Sequence, residues 1–337
     1  MTEPTITVRE LSKTYRVPER DAGFRAMVRD FLHRRYADVQ AVKSISFTIE
    51  PGEVVGFIGP NGAGKTTTLK MLAGLLVPTG GDARVAGYTP WERKTGFLRS
   101  ISMVLGNKSQ MIWDIPPTES FRVLAEIYDV PPAQFRETLD ELIDLLEMEP
   151  ILKKPVRMLS LGERMKCELV AGLLHRPSVL FLDEPTLGLD VSMQARLRDF
   201  LKVYNRRTGA TMLLTSHYMA DVTALCPRVM LIHHGGLLYD GPLGALTERM
   251  APFKIIRVGL ANGQNGLNNV VAELPGVTLL PDEGEGEAEG VHRLRVERVH
   301  TAAVTSALLN RCQLADLAVE DPPIEAVIDQ VYKGGSL

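Results

Sequence analysis

The sequence predicts an α/β protein, a mainly parallel sheet covered by helices, followed by a small α+β domain. Short apolar runs at 54–58, 179–182, 212–214 and 229–232 alternate with longer stretches of helical periodicity. The first of those runs enters a glycine-rich turn that opens directly into a helix. Beyond Pro242 the pattern shifts to shorter elements of both kinds. With 337 residues the chain is long enough for one large domain and a smaller one.

Taken in order, residues 6–8 lead into Leu11-Ser12-Lys13-Thr14-Tyr15 and read as an edge strand. An insert at 16–40 then breaks the pattern. Phe24, Val28, Phe31 and Leu32 fall at helical spacing with Arg25, Arg29, Arg34 and Arg35 between them. The expectation is an amphipathic helix lying on the domain; the sharper alternative has its arginines meeting anionic lipid or a partner's helix. A strand near 44–49 turns at Pro51-Gly52 into the buried run at 54–58. Leu69, Leu72, Leu75 and Leu76 continue one helix until Pro78 and Gly80-Gly81. A helical subdomain is expected over about 97–175, with apolar faces at 121–128 and 135–146, and a further helix near 192–204.

The large domain is expected over 1–248 and the accessory α+β domain over 249–337. In the latter, strands are expected at 253–260, 291–297 and 315–320, with helices near 266–274, 301–311 and 323–332. The acidic, glycine-rich run 282–290 reads as a solvated hairpin loop, and His233-His234 as residues flanking a turn.

Composition narrows the function. A formal net charge of -3 argues against nucleic acid as the main partner. Cys167, Cys226 and Cys312 show neither metal-ligand spacing nor a disulfide framework, which suits a reducing cytosol. The start lacks a basic run followed by an apolar core, so no signal peptide is expected. No apolar stretch approaches the roughly 20 residues that span a bilayer. A soluble protein with at most a peripheral membrane role is the expectation.

The chemistry begins at Gly59-Pro60-Asn61-Gly62-Ala63-Gly64-Lys65-Thr66, with Thr67 beyond, a G-x-x-x-x-G-K-[ST] loop between strand and helix. Glycines let backbone N–H groups turn inward on phosphate, and the helix adds the positive end of its dipole. Lys65 brings a point charge to the β/γ oxygens, and the Thr66 hydroxyl reaches Mg²⁺. Four apolar residues then end in Asp183-Glu184. Asp183, at the mouth of the sheet, is suited to Mg²⁺, and Glu184 to polarising an attacking water.

Leu159-Ser160-Leu161-Gly162-Glu163, ahead of a helix and before Asp183, resembles the Leu-Ser-Gly-Gly-Gln pentapeptide of ABC transporter ATP-binding subunits. Thr215-Ser216-His217 is similar to that family's switch-histidine strand end, and Asp190 in Leu187-Gly188-Leu189-Asp190 to its aspartate loop. The resemblance covers residues 5 to about 245. It implies an ATP-binding cassette fold and Mg²⁺-dependent hydrolysis of ATP, with Glu184, His217 and Gln110 catalytic. It also implies a head-to-tail dimer with ATP between Lys65 of one subunit and Ser160 and Gly162 of the second. Mg²⁺ would be held by Thr66, Asp183 and the lid residue. For the lid, Gln110 fits by identity and Asn107 by distance to Asp114-Ile115-Pro116; for adenine stacking, Tyr15 is favoured over Tyr36.

Two departures stand out, Leu161 for a glycine and Glu163 for the glutamine, the latter setting a carboxylate beside the triphosphate. Trp113 reads equally as part of an exposed docking patch and as packing under the helical subdomain. The Gly106 to Trp113 segment and the extra domain resemble the branch serving sodium extrusion and drug export. That implies membrane permease subunits on separate chains, export, and a peripheral place on the cytoplasmic face of the membrane. The alternative is a soluble ABC ATPase of repair or translation. Members of those classes carry long coiled coils or paired cassettes, and this chain has neither.

Overall fold

The computed structural model describes residues 3–18, 36–106, 109–216, 218–260, 267–280 and 291–334. Two compact units result, Met1–Leu243 and Gly244–Leu337.

The first unit begins with β1 (Ile6–Pro18), β2 (Tyr36–Ile49) and β3 (Val54–Ile58), then α1 (Lys65–Leu72), β4 (Gly80–Val85), α2 (Thr95–Ser100) and β5 (Ile101–Leu105). Three helices follow, α3 (Pro117–Ile127), α4 (Pro132–Leu146) and α5 (Leu161–Leu173). The chain then alternates through β6 (Val179–Asp183), α6 (Val191–Thr208), β7 (Thr211–Thr215), α7 (Met219–Leu225), β8 (Arg228–His233) and β9 (Gly236–Pro242).

The main sheet runs β5-β6-β7-β3-β8-β9, parallel except for β9. Its inner strands are apolar at nearly every position because helices and a second sheet cover both faces. β7, for instance, is buried at all of its residues. That second sheet is antiparallel, β2-β1-β4. Ile6, Leu11, Ile45 and Ile49 from it join Phe57, Phe181, Leu213 and Met230 of the main sheet and Leu69 and Leu72 of α1 in one core. Since the parallel strands point the same way, β3, β6 and β7 all end at one sheet edge, with Asp183 in register with Leu105 and Thr215.

Several expectations are corrected. β1 is not an edge strand but the centre of its sheet, because Gly80–Val85, whose Gly80-Gly81 pair reads as a helix stop, pairs with it as β4. The leucine-rich helix ends at Leu72, since Gly74 takes φ 70° and leaves Leu75 exposed. A side chain at Gly74 would meet the Pro90 carbonyl at 2.4 Å. Within the stretch expected as helical subdomain, Ile101–Leu105 is a strand of the main sheet. Both ends of the insert extend the β1–β2 hairpin, with Arg16, Val17 and Pro18 opposite Asp38, Ala37 and Tyr36. Its expected helix lies outside the described residues.

At the unit boundary comes α8 (Leu243–Met250). The second unit then contains β10 (Phe253–Leu260), α9 (Leu267–Glu273), β11 (Val277–Leu279), β12 (Val291–Glu297), α10 (Thr301–Arg311), β13 (Leu314–Glu320) and α11 (Ile324–Gly334). Its antiparallel sheet has the order β11-β12-β10-β13. Alternate residues Ile256 and Val258, with Leu294 and Val296, face Leu267, Val304 and Leu308 of the helices. The short β11 has no counterpart in the sequence reading, and the run 282–290 lies outside the described residues.

Candidate nucleotide site

The loop after β3 is fixed by close backbone approach. A Cβ on Gly59 would lie 2.3 Å from the Ile232 carbonyl, and one on Gly64 2.4 Å from that of Ala41. Gly62 and Gly64 take φ of 79° and 109°, which side chains rarely allow. The β8–β9 turn at His234-Gly235 supports the loop: Gly235 N–H donates to the Ala63 carbonyl at 3.0 Å, and Lys43 N–H to Gly235 at 2.7 Å. α1 starts with no side-chain cap and no acidic residue in its first turn, leaving a positive helix end open to an anion. Pro60, Asn61 and Gly62 are exposed around it, Ala63 is buried, and Thr67 is half-buried on the first turn.

Lys65 is 6 % exposed, and its Nζ donates to the carbonyls of Gly59 at 2.6 Å and Pro60 at 3.2 Å. Burial lowers its pKa, while Glu184 and Asp183 act in the opposite sense. The Thr66 hydroxyl lies 3.0 and 3.2 Å from the two Asp183 oxygens, and Thr215 Oγ1 donates to Asp183 Oδ1 at 2.7 Å. The phosphate loop after β3 and the carboxylate at the end of β6 are thus joined across the end of β7, which lies between them in the sheet. Glu184 follows with φ 54°, a left-handed conformation costing on the order of 1 kcal/mol in a residue with a Cβ. Its N–H is held by the Thr215 carbonyl and hydroxyl, each at 3.1 Å.

Hard oxygens from a hydroxyl and a carboxylate suit a magnesium ion. Among the described residues no group of three or more His, Cys, Asp or Glu is placed to hold a metal by itself.

The segment expected as the lid follows β5, and Gly106 and residues 109–113 of it are described. Gly106 N–H donates to the Asp183 carbonyl at 3.0 Å, and a side chain on Gly106 would strike the Glu184 carbonyl at 2.4 Å. Gln110 is exposed, and its N–H donates to Glu168 Oε2 at 2.9 Å. Asn107, the other lid candidate, lies outside the described residues. Trp113 is 48 % exposed with the Arg164 guanidinium 5.1 Å from its ring centre, so it is not packed under the helical segment.

Ser160 caps α5. Its Oγ accepts from Glu163 N at 3.2 Å, and Glu163 Oε2 accepts from Ser160 N at 2.7 Å, a reciprocal capping box. Glu163 is thereby folded back on its own helix, and the Ser160 N–H holds its carboxyl below the usual range. Gly162 sits against Met193, where a Cβ would approach to 3.3 Å, and Leu161 lies over Gly188. Asp190 is the N-cap of α6, its Oδ1 accepting from Met193 N at 2.9 Å. Tyr15 is half-buried opposite Val39, whereas Tyr36 is exposed with Arg16 stacked 4.9 Å from its ring centre. His217 lies outside the described residues.

Two buried acids escaped the sequence reading. Asp221 is fully buried and accepts from Thr186 Oγ1 at 2.5 Å, Ser216 Oγ at 2.8 Å and Arg198 Nη1 at 2.8 Å. It ties the loop after Glu184 to the loop after β7. Glu168, 4 % exposed, accepts from Ser109 Oγ and Gln110 N–H. Neither stands in a motif; an acid on the apolar face of its helix was the only available signal.

Strand order, phosphate loop and strand-end carboxylates together define a phosphate-loop nucleotide triphosphatase. The family model described as ABC transporter matches residues 42–187. The ATP-binding protein NatA of Bacillus subtilis (strain 168) is 34 % identical over 219 residues, 64 % of this chain and 89 % of that protein. The daunorubicin/doxorubicin resistance ATP-binding protein DrrA of Streptomyces peucetius is 32 % identical over 241 residues, 72 % of each. The linearmycin resistance ATP-binding protein LnrL of Bacillus subtilis (strain 168) is 27 % identical over 301 residues, 87 % of this chain and 94 % of that one.

Among solved structures, the ATP-binding subunit of an ABC transporter superposes with a TM-score of 0.61 at 24 % identity, covering 73 % of this chain and 92 % of that one. An ATP-binding cassette in a dimeric, post-hydrolysis state with ADP and Pi gives 0.58 at 21 % identity, covering 70 % and 98 %. The chain belongs to the ATP-binding proteins of ABC transporters and is an ATPase.

Proposed function

We propose that this chain drives export through membrane permease subunits carried on separate chains, as one half of a nucleotide-bridged pair of ATP-binding subunits. The observation that carries the reading is the cluster of Lys65, Thr66, Asp183 and Glu184 at one sheet edge. Export is supported by relatives named for linearmycin resistance and for daunorubicin/doxorubicin resistance. Among the described residues no helix is long and apolar enough to cross a membrane, which fits a peripheral subunit on the cytoplasmic face.

Lys65 exchanges its carbonyl partners for the β- and γ-phosphate oxygens of ATP, and N–H groups of residues 59–67 surround them. Thr66 and Asp183 would hold a magnesium ion, which would supply positive charge to the phosphate oxygens. Thr215 keeps the Asp183 carboxylate aimed at that position. Glu184 orients a water for attack on the γ-phosphorus and accepts its proton, so the new P–O bond forms as the bond to ADP breaks. The family resemblance assigns His217 and Gln110 to the same water. Tyr15 stacks on adenine, its half-buried ring with Lys13 Nζ 5.5 Å from the centre standing ready for a flat partner.

Across the pair, Ser160 and Gly162 of the second subunit meet the γ-phosphate through the N-terminus of α5. Asp190 lies on the same edge as a helix cap. ATP then favours the closed pair and hydrolysis releases it, so the permease follows the difference in affinity between the two states.

Glu184→Gln is expected to abolish turnover and trap an ATP-bound dimer, read by phosphate release and gel filtration. Turnover at the wild-type rate would remove Glu184 from its role. Purification from membranes is expected to bring permease subunits with the chain, whereas recovery only with ribosomes or DNA would overturn the transport reading.

A further inference from the structure

The buried acid on α5 joins two parts of the proposed machinery. Glu168 is 4 % exposed, and all the hydrogen-bond partners the structure gives it lie in the lid. Ser109 Oγ donates to Oε1 at 2.5 Å and Gln110 N–H to Oε2 at 2.9 Å, while Met111 N–H donates to Ser109 Oγ at 3.1 Å. No basic side chain forms an ion pair with it among the described residues. A buried carboxylate kept without a cation is a poor stabiliser, and an apolar residue would fill its place at lower cost. What Glu168 does fix is the path of residues 109–111.

Gly106, three residues before Ser109 in the chain, donates its N–H to the Asp183 carbonyl at 3.0 Å. The same helix that carries Glu168 begins at Ser160, eight residues earlier, or about 12 Å along the axis. We propose that Glu168 is a positioning residue that clamps the lid segment Ser109–Met111 to α5, so that the lid and the Ser160 helix end move as one body. The clamp rests on the reading of this site as an ATPase whose α5 N-terminus faces a second nucleotide. It gives a physical route for movement of the lid to reach the opposite half of a shared site, without contact between Glu168 and ATP.

Two substitutions separate this role from simple packing. Glu168→Gln can keep the clamp, with its amide oxygen on Gln110 N–H and its amide nitrogen donating to Ser109 Oγ. Glu168→Leu fills the same space and cannot. For Glu168→Leu we expect kcat for ATP to fall about 10-fold with KM within about 2-fold of wild type, the signature of lost positioning. Its Tm should hold or rise, and amide exchange at Gln110 and Met111 should quicken. Glu168→Gln should stay within about 2-fold of wild type in kcat.

A structural role alone would move kcat and Tm down together in Glu168→Leu, and that result overturns the proposal. So does Glu168→Leu with wild-type kcat and unchanged lid exchange, an outcome that leaves the ATPase reading standing because the wild-type protein still turns over. Should Glu168→Leu fail to fold, Ser109→Ala removes one clamp bond from the exposed side. Its kcat should then fall at unchanged KM, and a wild-type kcat there overturns the clamp.

Discussion

Two helices that the proposed mechanism aims at phosphate, α1 and α5, begin in opposite ways. α1 starts at Gly64, left-handed at φ 109°, with no side chain capping it and no acid in its first turn. α5 starts at Ser160 with a complete capping box, in which the N–H groups of Ser160 and Glu163 are answered by Glu163 Oε2 and Ser160 Oγ. One end is open and electropositive; the other is closed on itself and carries a carboxylate. Phosphate can therefore dock at α1 from a single subunit. At α5 it must meet a helix end whose own acid weakens the attraction. On the proposed mechanism, nucleotide binding and nucleotide-bridged pairing should therefore be separable by substitution.

The largest effects should come from breaking the open end. Lys65→Ala is expected to reduce turnover by more than about 100-fold, since the buried charge on the phosphates has no substitute. Retention of turnover above that level would place the phosphate charge elsewhere. Gly64→Ala should come next: a Cβ there would lie 2.4 Å from the Ala41 carbonyl, in a backbone conformation strained for alanine. We expect loss of nucleotide affinity with a destabilisation of about 1–3 kcal/mol, measured by titration with a fluorescent nucleotide and by urea unfolding.

The closed end gives smaller changes of both signs. Ser160→Ala removes the cap and should cost about 1 kcal/mol of stability, while leaving single-subunit ATP affinity unchanged. Loss of that affinity would mean α5 contacts nucleotide within one chain. Glu163→Gln preserves the box, because glutamine caps as glutamate does, but removes the charge. In a Glu184→Gln background it should tighten the ATP-bound dimer about 3- to 10-fold, read by sedimentation. The same substitution has a pH signature. The Glu163 carboxyl is held below its ordinary value by Ser160 N–H, so its contribution is complete above the unfolded pKa. That contribution fades as pH falls through the folded value, and Glu163→Gln should flatten this part of the acid limb.

Leu161 belongs to the same comparison. It stands where the resembled pentapeptide has glycine, and it packs over Gly188 in the loop that ends at the Asp190 cap. The α5 and α6 helix ends are thereby in contact within one subunit. That contact adds apolar surface at the edge assigned to pairing, where Leu161 and Leu187 are about two-fifths exposed and Val191 is 78 % exposed.

How much of this was legible beforehand depends on the kind of signal. Gly59 to Thr66 and Asp183-Glu184 were readable because phosphate chemistry demands fixed residue types at fixed short spacing. β3, β6, β7 and β8 were readable because strands buried on both faces are uniformly apolar. β4 was not, since its two leading glycines speak for a turn and only pairing with β1 makes it a strand. The helix ending at Leu72 was overread because Leu75 and Leu76 keep the helical period past a glycine that turns left-handed.

By itself, then, the sequence determined that this protein binds a nucleotide triphosphate at the head of a parallel sheet, because that chemistry is local and its residues are neighbours in the chain. The tertiary structure alone decided where the buried acids act. Asp221 and Glu168 bind groups that lie 35 and 59 residues away, Thr186 and Ser109. The tertiary structure also decided that Glu163 turns back on Ser160 rather than outward. Such partnerships depend on which elements pack together, and no short window of sequence holds that information.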